Sequence, residues 1–249
     1  MSFQDKLLDS FIAFEQVIDL DNPVHTVRKD ALKRFESDGF PTKKDELWKY
    51  TSLKSIIQKD YSLSVKSNPN VGLKDIEKYS INDTDSYKIV FVDGVFNPFL
   101  SNTTHDGMDI CVLSAALSKT KYKKTITKYF NKIVPDDQSL ASLNTSYTKE
   151  GAYIHIPKSV LPEDPVQILH FSSGKNKPLW LQPRNIIIVE ENARVEIIER
   201  HQSLRSHDGA TNSLTEIYAE KNSFIDYYKI QNDIETSNLI DNTFINQQR

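Results

Sequence analysis

The residues able to do chemistry in this chain are few, and their spacing matches no self-contained catalytic motif. The sequence has no Gly-x-Ser-x-Gly elbow, no glycine-rich phosphate loop and no His-Glu-x-x-His pair. Six histidines and one cysteine are the main candidates for metal binding or nucleophilic catalysis. The sequence therefore predicts a protein that is not an enzyme, and it assigns no catalytic, cofactor-binding or metal-binding residue.

Each candidate side chain has a structural interpretation that we favour over a chemical one. His155 and His170 fall on predicted strands, where a hydrogen-bonded structural imidazole is more common than a metal ligand. His201 and His207 flank a loop that contains Asp208, and their spacing permits a site, although a solvated loop is favoured. Cys111 stands between Ile110 and Val112, so we expect a small buried hydrophobic side chain.

Composition narrows the class of protein. The chain has 249 residues, 26% of them charged, and a formal net charge of −3, which does not suggest a nucleic-acid-binding surface. One cysteine cannot form an intramolecular disulfide, and the N-terminus lacks a basic start followed by an apolar run. These features predict a cytoplasmic protein. The length favours two domains, which we place at residues 1–145 and 146–249.

The second predicted domain is organised by a repeat. Segments of strand, polar corner and strand recur, and their second strands begin at Val166, Val195 and Ile225, spaced 29 and 30 residues apart. A repeat of this length predicts a solenoid whose turns bury their apolar side chains by stacking. We therefore expect a right-handed parallel β-helix, mainly β, preceded by a helical and mixed α/β N-terminal part. A β-sandwich of loosely similar strands is the alternative.

The alternation of side chains within the repeat predicts which face each residue occupies. A polar column would point outward, and the neighbouring apolar column, with Val195, would point inward. The outward column is Gln167, Glu196 and Asp226, and the inward one is Ile168, Ile197 and Tyr227. Apolar residues interrupt the alternation at Leu169, Ile198 and Tyr228, which predicts a bend or a second contact surface there.

The N-terminal half carries several local signals. Helical periodicity predicts an amphipathic helix over residues 3–19 and a second over 24–37, ended by Gly39. Asp93-Gly94 predicts a β-hairpin, residues 108–113 a strand, Ser114 the cap of a following helix, and 124–134 another helix. Residues 39–51 are rich in aromatic side chains. We expect Trp48 and Tyr50 to anchor this loop by burial, and a docking site for another protein is the alternative.

Several residues together resemble a known family. Their order and spacing are similar to those of SufD, in the SufB/SufD family of iron–sulfur cluster assembly proteins. The matching positions are Gly39, Pro41, Glu46, Trp48, Tyr50, Arg184, Asn185, Asn192, Glu199, Asn212 and Gln231. The resemblance assigns no functional residue to this chain, because the cysteine and histidine with which the family handles clusters lie later in the β-helix. The chain is expected to be an N-terminal portion, with its β-helix unfinished at Arg249.

The resemblance implies a non-catalytic scaffold subunit of the SUF machinery. Such a subunit pairs with its paralogue SufB through the β-helix, while the ATPase SufC docks on C-terminal helices. A homodimer through the β-helix is a further expectation. Clusters are held chiefly by cysteine thiolates, and one cysteine cannot hold a cluster. We therefore expect no cofactor in this chain, with the iron–sulfur cluster handled by the assembled complex.

Two other functions suit a β-helix. A carbohydrate-active lyase would place charged side chains along one exposed sheet face, and the predicted column of Gln167, Glu196 and Asp226 is partly acidic. Such enzymes usually carry an export signal, which is absent from this N-terminus. A polypeptide-binding solenoid is the second alternative, because exposed solenoid faces suit that role.

Overall fold

The chain folds into a helical N-terminal part packed on a solenoid of two β-sheets, as seen in a computed structural model. The structure describes residues 1–63, 70–81, 86–105, 107–174, 177–206, 208–234 and 236–248. This architecture confirms the predicted fold class. None of the helices among these residues is long and apolar enough to cross a membrane.

Two longer helices open the chain. Helix α1 spans Phe3–Glu15 and α2 spans Val24–Asp38. A capping box fixes the start of α1, because the Asp5 N–H donates to Ser2 Oγ (3.1 Å) and the Ser2 N–H donates to the Asp5 carboxylate (2.8 Å). Gly39 ends α2 with a φ of 67°. Both predicted helices are confirmed, although α1 stops four residues before the predicted end.

The remaining helices are short and lie between or beside the strands. They are α3 (Lys54–Ile57), α4 (Leu73–Ile76), α5 (Leu113–Ser118), α6 (Thr120–Tyr129) and α7 (Ser139–Ser146), with 3₁₀ turns at Glu46–Trp48 and Glu77–Tyr79. Helix α6 begins four residues before the predicted helix and ends five residues before its predicted end. The predicted cap at Ser114 is wrong, because α5 begins at Leu113 and the Ser114 hydroxyl donates to Glu150 instead.

The strands alternate between two sheets as the chain winds. They are β1 (Tyr87–Val92), β2 (Val95–Phe96), β3 (Asp109–Val112), β4 (Ala152–Ile156), β5 (Val166–Ser172), β6 (Trp180–Leu181), β7 (Arg184–Val189), β8 (Arg194–Ser203), β9 (Gly209–Ala219), β10 (Phe224–Asn232) and β11 (Ser237–Gln247). Sheet I has the order β10-β8-β5-β1-β2, and sheet II has the order β11-β9-β7-β4-β3 with β6 beside β9. All pairs are parallel except β1–β2 and β3–β4.

The predicted hairpin and the predicted strand near residue 110 are both present, as β1–β2 and β3. These strands belong to the same two sheets as the later ones, since β1 pairs with β5 and β3 pairs with β4. The division into domains at residue 145 stays a prediction.

The corners of the solenoid turn at residues with positive φ. Asn192 has a φ of 59° and Asn222 of 56°, while Ser159 has 64° in the preceding corner. Asparagine adopts this conformation more readily than other non-glycine residues. The corners also stack, because the Ser159 N–H donates to the Glu191 carbonyl (3.0 Å) and the Asn192 N–H to the Lys221 carbonyl (3.1 Å). At these corners, asparagine and serine adopt a conformation for which glycine is the usual residue.

The repeat is confirmed, but one equivalence is wrong by two residues. Val195 pairs with Ile225, as predicted. Val166 pairs with Ile197 rather than with Val195. Because the error is an even number of residues, the inward and outward faces of these strands are unaffected.

Buried side chains form separate layers on both faces of each sheet. Between the sheets lies a core that includes Ile89, Ile154, Ile168, Ile187, Val195, Ile197 and Ile217. Helices α5 and α6 cover the outer face of sheet II, where Tyr122 and Ile126 pack on Ile186 and Ile188. Segment 71–79 covers the outer face of sheet I through Val71 and Ile76. The solenoid is therefore enclosed on both sides near its start.

Because the solenoid is covered near its start, one residue of the predicted outward column is not exposed. Glu196 is exposed and Asp226 is partly exposed, as expected. Gln167 is fully buried, because its side-chain amide bonds to the backbone of Ile81 and to Ser86.

The apolar residues that interrupt the alternation have separate environments. Leu169 lies under the segment that carries Ile76, and Ile198 is also buried. Tyr228 stays 53% exposed. The second contact surface therefore exists at Leu169, where another layer covers the sheet.

Replacing Val195 by Asp should unfold the solenoid, whereas replacing its exposed neighbour Glu196 by Lys should be tolerated. Val195 is fully buried in the core between the sheets, and an unpaired carboxylate there costs on the order of 4 kcal/mol. The exposed change should alter the free energy of unfolding by less than about 0.5 kcal/mol. Thermal and urea unfolding of both variants provides the measurement. Equal destabilisation by both changes would show that the assigned faces are wrong.

Candidate functional site

Polar side chains occupy the later part of the solenoid interior. On β8 the inward residues are Val195 and Ile197, followed by Glu199 and His201. Strand pairing sets His170 of β5 beside His201 and sets Lys229 of β10 beside Glu199. The interior thus changes from apolar to ionisable within one strand length.

Aromatic rings form a column across sheet I. The ring of His170 stacks on that of Phe91 (centroids 5.0 Å apart, planes at 15°). On its other side it stacks on the ring of His201 (4.6 Å, 13°). This stacking fixes both imidazoles next to the carboxylate of Glu199.

Glu199 is the centre of the cluster and has no exposed surface. His201 Nε2 lies 2.8 Å from its Oε1, and His170 Nε2 lies 4.0 Å from the same oxygen. Its other oxygen, Oε2, accepts from the Tyr227 hydroxyl and the Thr215 hydroxyl. Each carboxylate oxygen therefore has a distinct set of neighbours, imidazoles on one side and hydroxyls on the other.

The charge of Glu199 is further balanced by a lysine. Lys229 Nζ is 3.6 Å from Glu199 Oε2 and 2.7 Å from Asp241 Oδ1. Asn185 Nδ2 donates to Thr215 Oγ1 (3.1 Å), which links the cluster to sheet II. A continuous polar network therefore connects the two sheets through the interior.

One polar atom of the cluster lacks a hydrogen bond among the described residues. Among the described residues, His170 Nε2 is buried and has no hydrogen-bond partner. A cavity of 20 Å³ adjoins it, lined by both imidazoles and by residues such as Gln202, Gly209 and Asp233. A free nitrogen next to a small cavity is a position where a ligand atom can be accommodated.

The environment sets the protonation states of the cluster. Burial, assisted by nearby His201 and Lys229, lowers the pKa of His170 to about 3 from its ordinary value of 6.5. Burial by itself raises the pKa of Glu199, but the hydrogen bond from His201 and the charge of Lys229 outweigh it and hold that pKa well below its usual range. At neutral pH the cluster thus contains a neutral His170 and an ionised Glu199.

These are donor groups for a metal ion. A nitrogen of His170, a nitrogen of His201 and an oxygen of Glu199 all lie within 4.8 Å of one another. Two imidazoles and one carboxylate are a recurrent ligand set for zinc and for ferrous iron.

A second buried polar centre lies on the outer face of sheet II. Arg184 and Glu216, both with no exposed surface, form an ion pair in which Arg184 Nη2 lies 2.6 Å from Glu216 Oε1. Arg184 also donates to Thr145 Oγ1 (2.8 Å) and to Asn131 Oδ1 (3.0 Å), and its guanidinium lies over the Phe130 ring. This centre joins the helical part to the solenoid.

Helix α7 supplies much of that joint, although its sequence is polar. Residues 140–146 are all buried. Asn144 Nδ2 donates to the carbonyls of Pro183 (2.9 Å) and Asn212 (2.7 Å). The Asn212 amide donates in turn to the Leu140 carbonyl (2.8 Å). Local sequence does not predict this helix, because most of its residues are serine, asparagine or threonine.

The residues that carry the family resemblance fall in several places. Arg184, Asn185, Glu199 and Asn212 are fully buried in the two polar centres, while Asn192 forms a corner. In the N-terminal segment, Gly39 ends α2, Pro41 and Trp48 are partly buried, and Glu46 is exposed; Gln231 of β10 is exposed. Tyr50 is 91% exposed, so the expectation that its ring anchors the loop is wrong. The structure thus gathers four of the later residues into two buried centres, whereas the remaining residues lie apart from them.

The histidine predictions have mixed outcomes. His155 is a satisfied structural imidazole, with Glu190 at 2.9 Å and Asp109 at 3.6 Å. His170 is not satisfied, contrary to expectation. His201 lies on β8 and not beside a solvated loop, since its partners are Glu199 and His170.

The other two positions near this loop have different outcomes. Asp208 pairs instead with Lys59 (3.1 Å). His207 lies outside the described residues.

Cys111 is partly buried rather than fully buried, and it packs beside the core under α5 and α6. Burial raises the pKa of its thiol to about 11. The thiolate needed for metal binding or nucleophilic attack is therefore scarce at neutral pH.

Comparison with known proteins gives a consistent result. Residues 1–168 match the profile of the SufBD protein N-terminal region, and residues 170–249 match that of the SUF system FeS cluster assembly SufBD core domain. An iron–sulfur cluster assembly SufBD family protein of Synechocystis is 25% identical over 228 residues, which cover 88% of this chain and 50% of the relative.

Similarity extends to both named branches of that family. SufD of Bacillus subtilis is 25% identical over 124 residues, covering 49% of this chain and 27% of the relative. SufB of the same organism is 30% identical over 101 residues, covering 40% and 21%. The chain spans about half the length, or less, of the curated relatives that it matches.

Replacing Arg184 by Met should destabilise the protein by about 3–5 kcal/mol, because the Glu216 carboxylate would stay buried without its cation. The matched control is Arg194 to Met, which removes the exposed pair with Asp226 and should cost less than about 1 kcal/mol. Urea unfolding measures both. A double change of Arg184 to Met and Glu216 to Leu should recover part of the loss. Similar small losses in both single variants would contradict the proposed joint.

His170 should make the metal-free protein sensitive to acid from pH 6.5 down to about pH 3. The unfolded chain takes up a proton there that the folded chain, with its lowered pKa, does not, so stability falls as pH falls. The slope is at most about 1.4 kcal/mol per pH unit, and from pH 7 to pH 5 the loss is about 2 kcal/mol. The test is to measure the unfolding of the wild type and of the His170 to Phe variant over this pH range, with a chelator present. Parallel pH profiles of the two proteins would rule out the predicted role of His170.

Proposed function

Because the chain belongs to the SufBD family, we propose that it serves as a non-catalytic scaffold subunit of the SUF machinery, which assembles iron–sulfur clusters in the cytoplasm. The proposal is that of a SufD-type subunit, in keeping with the signature residues of the sequence. Its partners are SufB, bound through the β-helix, and SufC, bound through parts of the complex outside residues 1–249.

The observation that carries this proposal is the open end of the solenoid. In the part of the chain that the structure describes, β10 and β11 are the outermost strands of their sheets. Apolar side chains are exposed on them, namely Phe224 (67%), Tyr228 (53%) and Ile245 (62%). An exposed strand edge with apolar side chains is a template for pairing with another strand. A partner solenoid can supply such a strand, as can a further turn of the same solenoid.

The chemistry of the chain supports a scaffold more than a cluster carrier. Iron–sulfur clusters need several thiolates, and the sequence has only Cys111, whose pKa is raised to about 11. The cluster is therefore handled by the assembled complex, and this chain contributes a rigid framework.

The two alternatives are less well supported. A lyase would need a continuous charged column on an exposed face, but Gln167 is buried and bonds to Ile81 and Ser86. A general polypeptide-binding solenoid shares the open strand edges but leaves the match to both SUF profiles without an explanation.

Association through the open strands should be measurable by light scattering over a range of concentrations. We expect the mass to exceed 28.6 kDa as concentration rises, or a complex to form when SufB is added. SufC alone should not bind. Replacing Phe224 and Tyr228 together by Lys should weaken association about 10-fold, since charges on an edge strand oppose strand pairing.

The matched control replaces Tyr50 by Lys, because that ring is also exposed but lies far from β10 in the sequence and outside both sheets. It should leave association unchanged. A mass of 28.6 kDa at every concentration, together with no binding to SufB, would overturn the scaffold proposal.

A further inference from the structure

We propose that His170, Glu199 and His201 form a binding site for one divalent first-row transition-metal ion inside the solenoid. This goes beyond the scaffold role, and it rests on the geometry of the cluster rather than on the family. The three side chains come from β5 and β8, which are paired in register, so their backbones are fixed by the sheet.

The separations of the donor atoms suit a shared ion. Glu199 Oε1 is 2.8 Å from His201 Nε2 and 4.0 Å from His170 Nε2. Ligand atoms that bind one zinc ion at about 2.1 Å lie roughly 3–4 Å apart. Small side-chain movements would therefore bring all three atoms to bonding distance.

The unpaired nitrogen of His170 is an independent indication of a ligand. This nitrogen is buried, and among the described residues it has no hydrogen-bond partner. Leaving a buried polar atom unpaired costs about 1–3 kcal/mol, a cost that a bound ion would remove. The adjoining 20 Å³ cavity is comparable to the volume that one small ligand or water molecule occupies.

Partners beyond the three ligands hold the carboxylate in place. Tyr227 and Thr215 bond to Glu199 Oε2, which leaves Oε1 turned toward the imidazoles. Bound metal ions commonly rely on such outer hydrogen bonds to orient their ligands. The nearby Lys229 is itself paired with Asp241 (2.7 Å). Glu199 and Asp241 carry two negative charges against one on Lys229, so an added cation meets a net negative site.

Two adjustments accompany binding. His201 Nε2 exchanges its hydrogen bond with Glu199 for a bond to the ion, and the neutral imidazole then carries its single proton on Nδ1. The imidazole planes are only 13° from parallel, so at least one ring must rotate for both nitrogens to point at the same ion. The cavity lies beside both rings and gives room for that rotation.

The other histidines that the structure describes lack this combination. Both nitrogens of His155 face carboxylates, Asp109 and Glu190, so no donor is left over. His25 faces a single carboxylate, Glu15. In the described part of the chain, the cluster at His170 is the only group of three such donors close enough to share an ion.

The test uses the tag-free chain of 249 residues, titrated anaerobically with Co²⁺, Zn²⁺ and Fe²⁺ and analysed for bound metal after desalting. We expect one ion per chain and a rise in melting temperature on adding Zn²⁺. His170 to Phe and Glu199 to Gln should abolish stoichiometric binding. Tyr227 to Phe should weaken it about 10-fold, as loss of an outer partner does.

His155 to Phe is the matched control, and it should retain binding at wild-type affinity. Without metal, His170 to Phe should melt no lower than wild type, because it removes an unpaired buried nitrogen and extends the ring column that starts at Phe91. Zinc X-ray absorption of the wild type gives a readout that does not depend on a variant folding. Two imidazole ligands per zinc are expected.

Several results would overturn the site. The site is wrong if the His170 to Phe variant still binds metal, or if the His155 to Phe control loses metal binding equally. It is also wrong if zinc has fewer than two imidazole ligands, or if none of the three metals binds stoichiometrically. Bound iron accompanied by an equal amount of sulfide would indicate a cluster and would also count against a mononuclear site. Failure of SufB to associate with the chain would not affect these outcomes, so the two proposals can fail separately.

Discussion

Lateral registry between parallel strands is the constraint on which the rest of this structure depends. In sheet I, hydrogen bonding fixes His170 beside His201 and Ile168 beside Glu199. Since side chains alternate between faces, one registry decides both which residues meet and which face they share. The apolar start and the polar end of the interior follow from it, because each strand contributes apolar residues first and polar residues later.

Burying polar side chains in the interior costs free energy, and two neighbouring side chains of the cluster differ in how this cost is compensated. Glu199 is fully buried, yet it is compensated by Tyr227, Thr215, His201 and Lys229. Burial of an ion is tolerated only with such partners. His170 is the exception, since its Nε2 atom has none among the described residues. The contrast between a fully satisfied carboxylate and an unsatisfied imidazole within 4.0 Å marks this cluster as different from an ordinary structural network.

The helical part and the solenoid depend on each other through a second polar centre. Arg184 begins β7, and its guanidinium bonds to side chains of α7, of the loop after α6 and of β9. Close packing leaves no room at that place, because a Cβ on Gly151 would lie 1.9 Å from the Arg184 carbonyl oxygen. The first turn of the solenoid is thus completed by residues that precede it in the sequence. Through this short, polar and buried helix, the helical part covers the outer face of sheet II.

The sequence by itself determined the elements whose signals are local or periodic. Alternation revealed the inward face of the repeat, polar corners separated its strands, and Asp93-Gly94 marked the hairpin. Tertiary structure alone decided the rest. A repeat of 29 residues would set His170 opposite Glu199, whereas the actual pairing sets it opposite His201, because side-chain alternation reports parity and not registry. Nor can local pattern show that Ile81 and Ser86 bond to the buried Gln167, since they are distant from it in the chain. The same holds for Arg184 and Asn212, which satisfy polar groups of α7.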